Sequence, residues 1–97
     1  MLVHNLLQEA YRAEAELLGV TDFPPLRRTV ADITVSENSF YGIHIEGQLA
    51  GVVELEVQPE KPRTLIASLA VSAAHRRRGL ATALVRCAID QAADRMT

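Results

Sequence analysis

The chain of 97 residues has no tryptophan, and aromatic residues make up only 4% of it. Any core built from it must therefore be aliphatic. A single cysteine, Cys87, excludes an intrachain disulfide framework and a zinc site made from several cysteines. Long hydrophobic runs are missing, and none approaches the roughly 20 residues of a membrane-spanning helix. A charge excess is missing as well. The formal net charge of −2 gives no general attraction for nucleic acid or for an anionic membrane. The opening Met1-Leu2-Val3-His4-Asn5 has no basic stretch and no long apolar run, so no secretion signal is expected. The expectation is a cytoplasmic protein.

What is present is ordinary for a folded domain. Hydrophobic residues are 48% of the chain and charged residues 23%, which argues against disorder. The length suits one domain over residues 1–97.

Residues 2–18 carry apolar side chains at Val3, Leu6, Leu7, Ala10, Ala13, Leu17 and Leu18. That spacing draws one stripe along a helix, and Gly19 stands where a C-terminal cap is expected. A second, shorter helix is expected to begin at Pro24-Pro25, with Asp22 as its cap and Leu26, Val30 and Ile33 on one face. The pattern then changes to strands. Phe40–Ile45 and Leu49–Val57 flank the turn Glu46-Gly47, which reads as an antiparallel hairpin. Gln58 to Arg63, with Pro59 and Pro62, is a connection. Thr64–Val71 is a third strand, with Leu65, Ala67, Leu69 and Val71 on one face and Ile66 and Ala70 on the other, so burial on both sides is expected. From Gly79 the period is helical again. The order is α-α-β-β-β-α.

The informative stretch runs from Ser68 to Ala81. It leads from a strand through a turn holding Arg76-Arg77-Arg78 into a helix that begins Gly79-Leu80-Ala81. The first turn of a helix has backbone N–H groups without internal partners and the positive end of the dipole. Gly79 lets the backbone approach a ligand closely, and Ala81 keeps the next turn narrow. Together they form a candidate cradle for a pyrophosphate, and the arginines add charge for an anionic ligand.

The stretch Arg76-Arg77-Arg78-Gly79-Leu80-Ala81 resembles the central motif of the GNAT superfamily of N-acetyltransferases. That motif is Arg or Gln, two residues, Gly, one residue, then Gly or Ala. The match extends back through the strand ending Leu69-Ala70-Val71 and forward along the helix to Ala92. The resemblance implies an α/β, GNAT-like fold: a mixed, mostly antiparallel sheet flanked by helices, here lacking the family's usual C-terminal strands. It implies acetyl-CoA as co-substrate and no metal. Backbone N–H groups of Arg77, Arg78, Gly79, Leu80, Ala81 and Thr82 would hold the pyrophosphate. Arg76 would brace the turn. Leu69, Ala70 and Val71 would meet the pantetheine arm along the strand, as an added strand does. Backbone donors there would polarise the thioester carbonyl. The reaction would be direct acetyl transfer to an amine of a small molecule or peptide.

Family members often carry a carboxylate base on the motif strand or the strand before it. Glu54 and Glu56, on the preceding strand and on one face, are the candidates here. The usual tail, with its tyrosine acid, does not follow the motif helix. The motif strand would then be a sheet edge, which invites pairing with another chain. A homodimer, or a piece of a longer gene product, is expected. The alternative function is a truncated GNAT-like module that binds CoA or a protein partner without turnover. A nucleic-acid binder using the arginines would need strongly salt-dependent binding, and the acidic balance speaks against it. Cys87, Tyr11 and Tyr41 are read as packing residues; the other reading of Tyr41 is an acid, and that of Tyr11 is a place on the acceptor side, since the resemblance implies that the first helix borders the substrate cleft. His75 is read as structural, with phosphate contact the other reading. His4 and His44 are too isolated for a metal site.

Overall fold

In a computed structural model, which describes residues 1–58 and 63–96, the first element is helix α1, Leu2–Leu18. Leu6, Leu7 and Ala15 are its buried positions. It stops at Gly19, whose φ of 68° is the left-handed conformation that glycine adopts at least cost.

The expected second helix is two pieces. A 3-10 turn spans Pro24–Arg27, and helix α2 spans Val30–Thr34. Asp22 does not cap; it pairs with Arg27 at 2.5 Å. The cap is Thr29. Its hydroxyl accepts from the Asp32 N–H at 3.1 Å, and the Asp32 carboxylate accepts from the Thr29 N–H at 2.8 Å. This reciprocal box is a stronger start signal than a lone aspartate. It leaves Arg28 extended between the two pieces, and that break governs the site described below.

Strands β1 (Ser39–Ile45), β2 (Gln48–Gln58) and β3 (Arg63–Val71) form an antiparallel sheet in the order β1-β2-β3. Glu46 and Gly47, with φ of 52° and 79°, make the turn between β1 and β2, which suits the strand twist. Among the described residues no parallel pair occurs, so the mixed character expected of the sheet is not seen. Pro59 and Pro62 of the expected connection lie outside the described residues. Helix α3, Leu80–Met96, follows a short 3-10 turn at Ala73–His75.

The two faces of the sheet are covered by different helices. On one, Val52 and Ala70 pack with Leu6 and Leu7 of α1 and Ile33 of α2. On the other, Val53 and Leu55 pack with Leu84 and Ala88 of α3. Burying each of these large aliphatic side chains contributes about 1.5–3 kcal/mol.

β3 departs from strict alternation. Ser68 lies opposite Glu54 but Ile66 lies opposite Leu55, so Ala67 is an extra residue. Such a bulge moves the residues before it to the other face. Ile66 therefore shares the α3 face with Leu69 and Val71, and Leu65 shares the α1 face with Ser68 and Ala70. Burial on both sides is not realised either. Leu65, Ile66 and Leu69 are 37%, 47% and 39% exposed, because neither helix reaches over the open edge of β3.

Candidate functional site

The turn from β3 into α3 is shaped by two positive φ values, 65° at Arg77 and 73° at Gly79. A Cβ at Gly79 would meet nothing within 4 Å, so glycine serves the backbone angle there and not a crowded space. The turn is fastened at its base. Ser72 N–H donates to the Ala50 carbonyl at 2.7 Å, and Ala73 N–H donates to Glu9 Oε1 of α1 at 3.0 Å. The Gly79 carbonyl accepts from Ala83 N–H at 3.1 Å, so the N–H groups of Leu80, Ala81 and Thr82 lie in the first turn of α3, without helical acceptors.

The backbone direction of β3 follows from the same contacts. In an antiparallel pair successive residues alternate between facing the partner strand and facing away. Ser72 faces β2, so Ala70 does too, while Leu69 and Val71 turn their N–H and C=O groups to the open edge. Among the described residues no strand pairs with that edge.

Between α1, this edge and the turn lies a cleft of about 500 Å³. Nine of the ten residues expected to meet the donor line it: Leu69, Ala70, Val71, Arg76, Arg77, and the run from Gly79 through Leu80 and Ala81 to Thr82. Arg78 is the exception; it is exposed but does not line the cleft. Among the described residues no salt bridge engages any of the three arginines. His75 also lines the cleft, and its Nδ1 is buried with no hydrogen-bond partner among the described residues. The opposite wall is Ala10, Ala13, Glu14 and Leu17 of α1.

The two candidate carboxylates part company. Glu56 is exposed. Glu54 is only 1% exposed and is held by Arg28, whose two terminal nitrogens donate to its two oxygens at 2.6 Å each. Asn38 Nδ2 adds a third bond at 2.8 Å. Burial pushes the Glu54 carboxyl up. The bonds from Arg28, Asn38 and Ser68 push it down and prevail, so it sits below the usual glutamate value. Arg28 is pushed up in turn, chiefly by its bond to Glu54. Its own carbonyl is tied to α1, with His4 Nε2 at 3.0 Å and Gln8 Nε2 donating at 3.2 Å. Its guanidinium lies 5.8 Å from the centre of the Phe40 ring. Tyr11 of α1 completes the group, with its hydroxyl 3.0 Å from Ser68 Oγ.

The chain matches the model of the acetyltransferase (GNAT) family over residues 2–97. It belongs to the GNAT family. No curated protein and no solved structure matches it.

As a GNAT member, the chain places the family's motif turn at one end of the cleft and the exposed strand edge along its side. Sequence reasoning placed the first helix beside the cleft but missed which of its residues form the wall, and it missed the cluster of Arg28, Asn38 and Ser68. Ala10, Ala13 and Leu17 carried a signal, since small and apolar residues at that spacing share one helix face. Arg28 carried none, because a single helix over residues 24–34 would have hidden the break that frees its side chain. Tyr41, on β1, donates to Gln91 Oε1 of α3 at 3.1 Å and so ties strand to helix. No group of three or more metal-ligating residues occurs among the described residues. Nor is any described helix long and apolar enough to cross a membrane.

Proposed function

We propose that this GNAT protein transfers the acetyl group of acetyl-CoA to an amine. The observation that carries the reading is the convergence of nine motif residues on one cleft, with helix N–H groups at its end and an open strand edge along its side. The N–H groups of Leu80, Ala81 and Thr82 receive the pyrophosphate. Arg76 and Arg77 add positive charge at the same end. Leu69 and Val71 offer outward backbone groups to the pantetheine arm and to the thioester carbonyl.

The amine nitrogen attacks the thioester carbon. The new N–C bond forms as the C–S bond breaks, and the sulfur keeps the bonding pair as a thiolate. The nitrogen then releases one proton. Glu54 is a poor destination for it, since its oxygens are already occupied and its pKa is held down. Glu56 is on the same face two residues along the strand and is exposed, so its carboxylate is open to receive the proton through water. In this reading Glu54 anchors the site and Glu56 is the base. The acceptor is a small molecule or peptide bearing an amine, and the protein works as a cytoplasmic homodimer.

The engagement of Glu54 also favours a second reading, a GNAT module that binds CoA without turnover. One experiment separates the two. Calorimetric titration with acetyl-CoA, CoA and ATP is expected to show micromolar binding of both CoA forms and none of ATP. A panel of amines then tests for thiol release. Binding with no thiol release supports the second reading, and no binding at millimolar ligand removes both.

A further inference from the structure

The hydroxyl of Ser68 is the one polar side chain of β3 between Thr64 and Ser72. It is partly exposed, and it stands beside the bulge at Ala67 and next to the outward-facing Leu69. Its cross-strand partner on the same face is Glu54. Its neighbour from α1 is Tyr11, at 3.0 Å. Neither Tyr11 nor Ser68 lines the cleft, but Ser68 shares its face of β3 with the cleft-lining Ala70, two residues on.

A carboxylate only accepts and a guanidinium only donates. Ser68 has one hydrogen, and Glu54, its cross-strand partner, is held down in part by a bond from Ser68, which assigns that hydrogen to the carboxylate. With that hydrogen engaged, the 3.0 Å contact leaves Tyr11 as the donor to Ser68 Oγ. A serine oxygen has two lone pairs. Tyr11 occupies one. The other is left over, on the face of β3 that Ser68 shares with the cleft-lining Ala70.

We propose that Ser68 Oγ holds the attacking amine by accepting one of its N–H bonds, and that Tyr11 and Glu54 fix the hydroxyl so that only an acceptor lone pair faces the substrate. This rests on the acetyl-transfer reading and adds to it a recognition element for the acceptor. A site that presents an acceptor and no free donor selects nucleophiles that carry N–H groups. Ser68 touches the substrate and so is a catalytic residue; Tyr11 is a positioning residue. The bond and proton changes are those already given: N–C forms, C–S breaks, the pair leaves with sulfur, and the proton leaves through water to Glu56.

The test compares wild type with Ser68→Ala, Ser68→Thr and Tyr11→Phe. The probes are acetyl-CoA with n-propylamine, spermidine and a tetrapeptide bearing a free N-terminus, read by thiol release. Ser68→Ala is expected to lower kcat/KM for the amine about tenfold, as loss of one hydrogen bond does. Acetyl-CoA affinity, measured separately by calorimetry, is expected to stay unchanged. Tyr11→Phe is expected to reduce the same parameter less, and Ser68→Thr to restore it by keeping the hydroxyl. Unchanged amine kinetics in Ser68→Ala, with an active wild type, would overturn the role of Ser68 and leave acetyl transfer standing. A loss of acetyl-CoA affinity equal to the loss of kcat/KM would also overturn it, since the effect would then be structural. A wild type that binds acetyl-CoA but releases no thiol with any probe overturns the acetyl-transfer reading and this role with it.

Discussion

Arg28 and Glu54 form a two-armed ion pair, 2.6 Å at each arm, that joins the break between the two short helical pieces to the middle of the sheet. The carboxylate is buried and the guanidinium side chain is 22% exposed. Removing one partner strands the other. Arg28→Ala is expected to destabilise the fold by about 3 kcal/mol, measured by urea unfolding. The double variant Arg28→Met with Glu54→Leu should lose much less than the two single changes summed, because no charge is left buried. Full additivity would show that the pair contributes nothing as a pair.

Acid should act through the same carboxylate. The folded-state pKa of Glu54 lies below its ordinary value of 4.5. Its contribution to stability is therefore present above about pH 4.5 and is lost as pH falls through the folded value. Urea midpoints are expected to hold steady from pH 7 to 5 and then to fall. The Arg28→Met, Glu54→Leu variant should show a shallower acid limb.

Gly79 should be needed for the donor more than for the fold. Its φ of 73° is costly for other residues, while a side chain there would meet nothing within 4 Å. Gly79→Val strains the turn by about 1–2 kcal/mol. The N–H groups proposed to hold the pyrophosphate should then be misplaced, with acetyl-CoA affinity falling about tenfold or more. Calorimetry on the variant checks this, with circular dichroism confirming that the helices persist. Unchanged affinity would remove the cradle.

Gly51 should be needed for the fold. A Cβ there would lie 3.0 Å from Leu84 Cδ1 and 3.4 Å from the Ala70 carbonyl oxygen. Gly51→Val would push α3 off the sheet, at a cost of about 2 kcal/mol. Thermal unfolding should register the loss, and Gly51→Ala should lose less.

The open edge of β3 ahead of the bulge should pair with a second copy, leaving the edge at Leu69–Val71 to the donor. Leu65 and Ile66 are 37% and 47% exposed, and no charged side chain occurs between Thr64 and His75 to discourage strand pairing. Light scattering at micromolar concentration is expected to give a dimer and Ile66→Lys a monomer. A strict monomer in the wild type would contradict the pairing.

Local chemistry was enough to place α1, the hairpin around Glu46-Gly47, the motif strand and α3, because each is written in periodicity, caps and turn residues that act over a few positions. The motif from Arg76 to Ala81, set between a strand and a helix, was enough to suggest the GNAT family for the same reason: close backbone approach and free N–H groups are properties of a short stretch.

Long-range contacts were needed for the rest. Glu54 and Glu56 are the same residue type on the same face, yet one is locked to Arg28, 26 positions away, and the other is left in solvent. The bulge at Ala67 comes from the register of β3 on β2, so it reverses the faces of Leu65 and Ile66 with no mark in the alternation itself. The cleft wall from α1, and the meeting of Tyr11 with Ser68 across 57 positions, depend on how a helix is laid on a sheet. Periodicity reports which side of an element is buried. It does not report which partner covers that side, and the role of each polar group here depends on its partner.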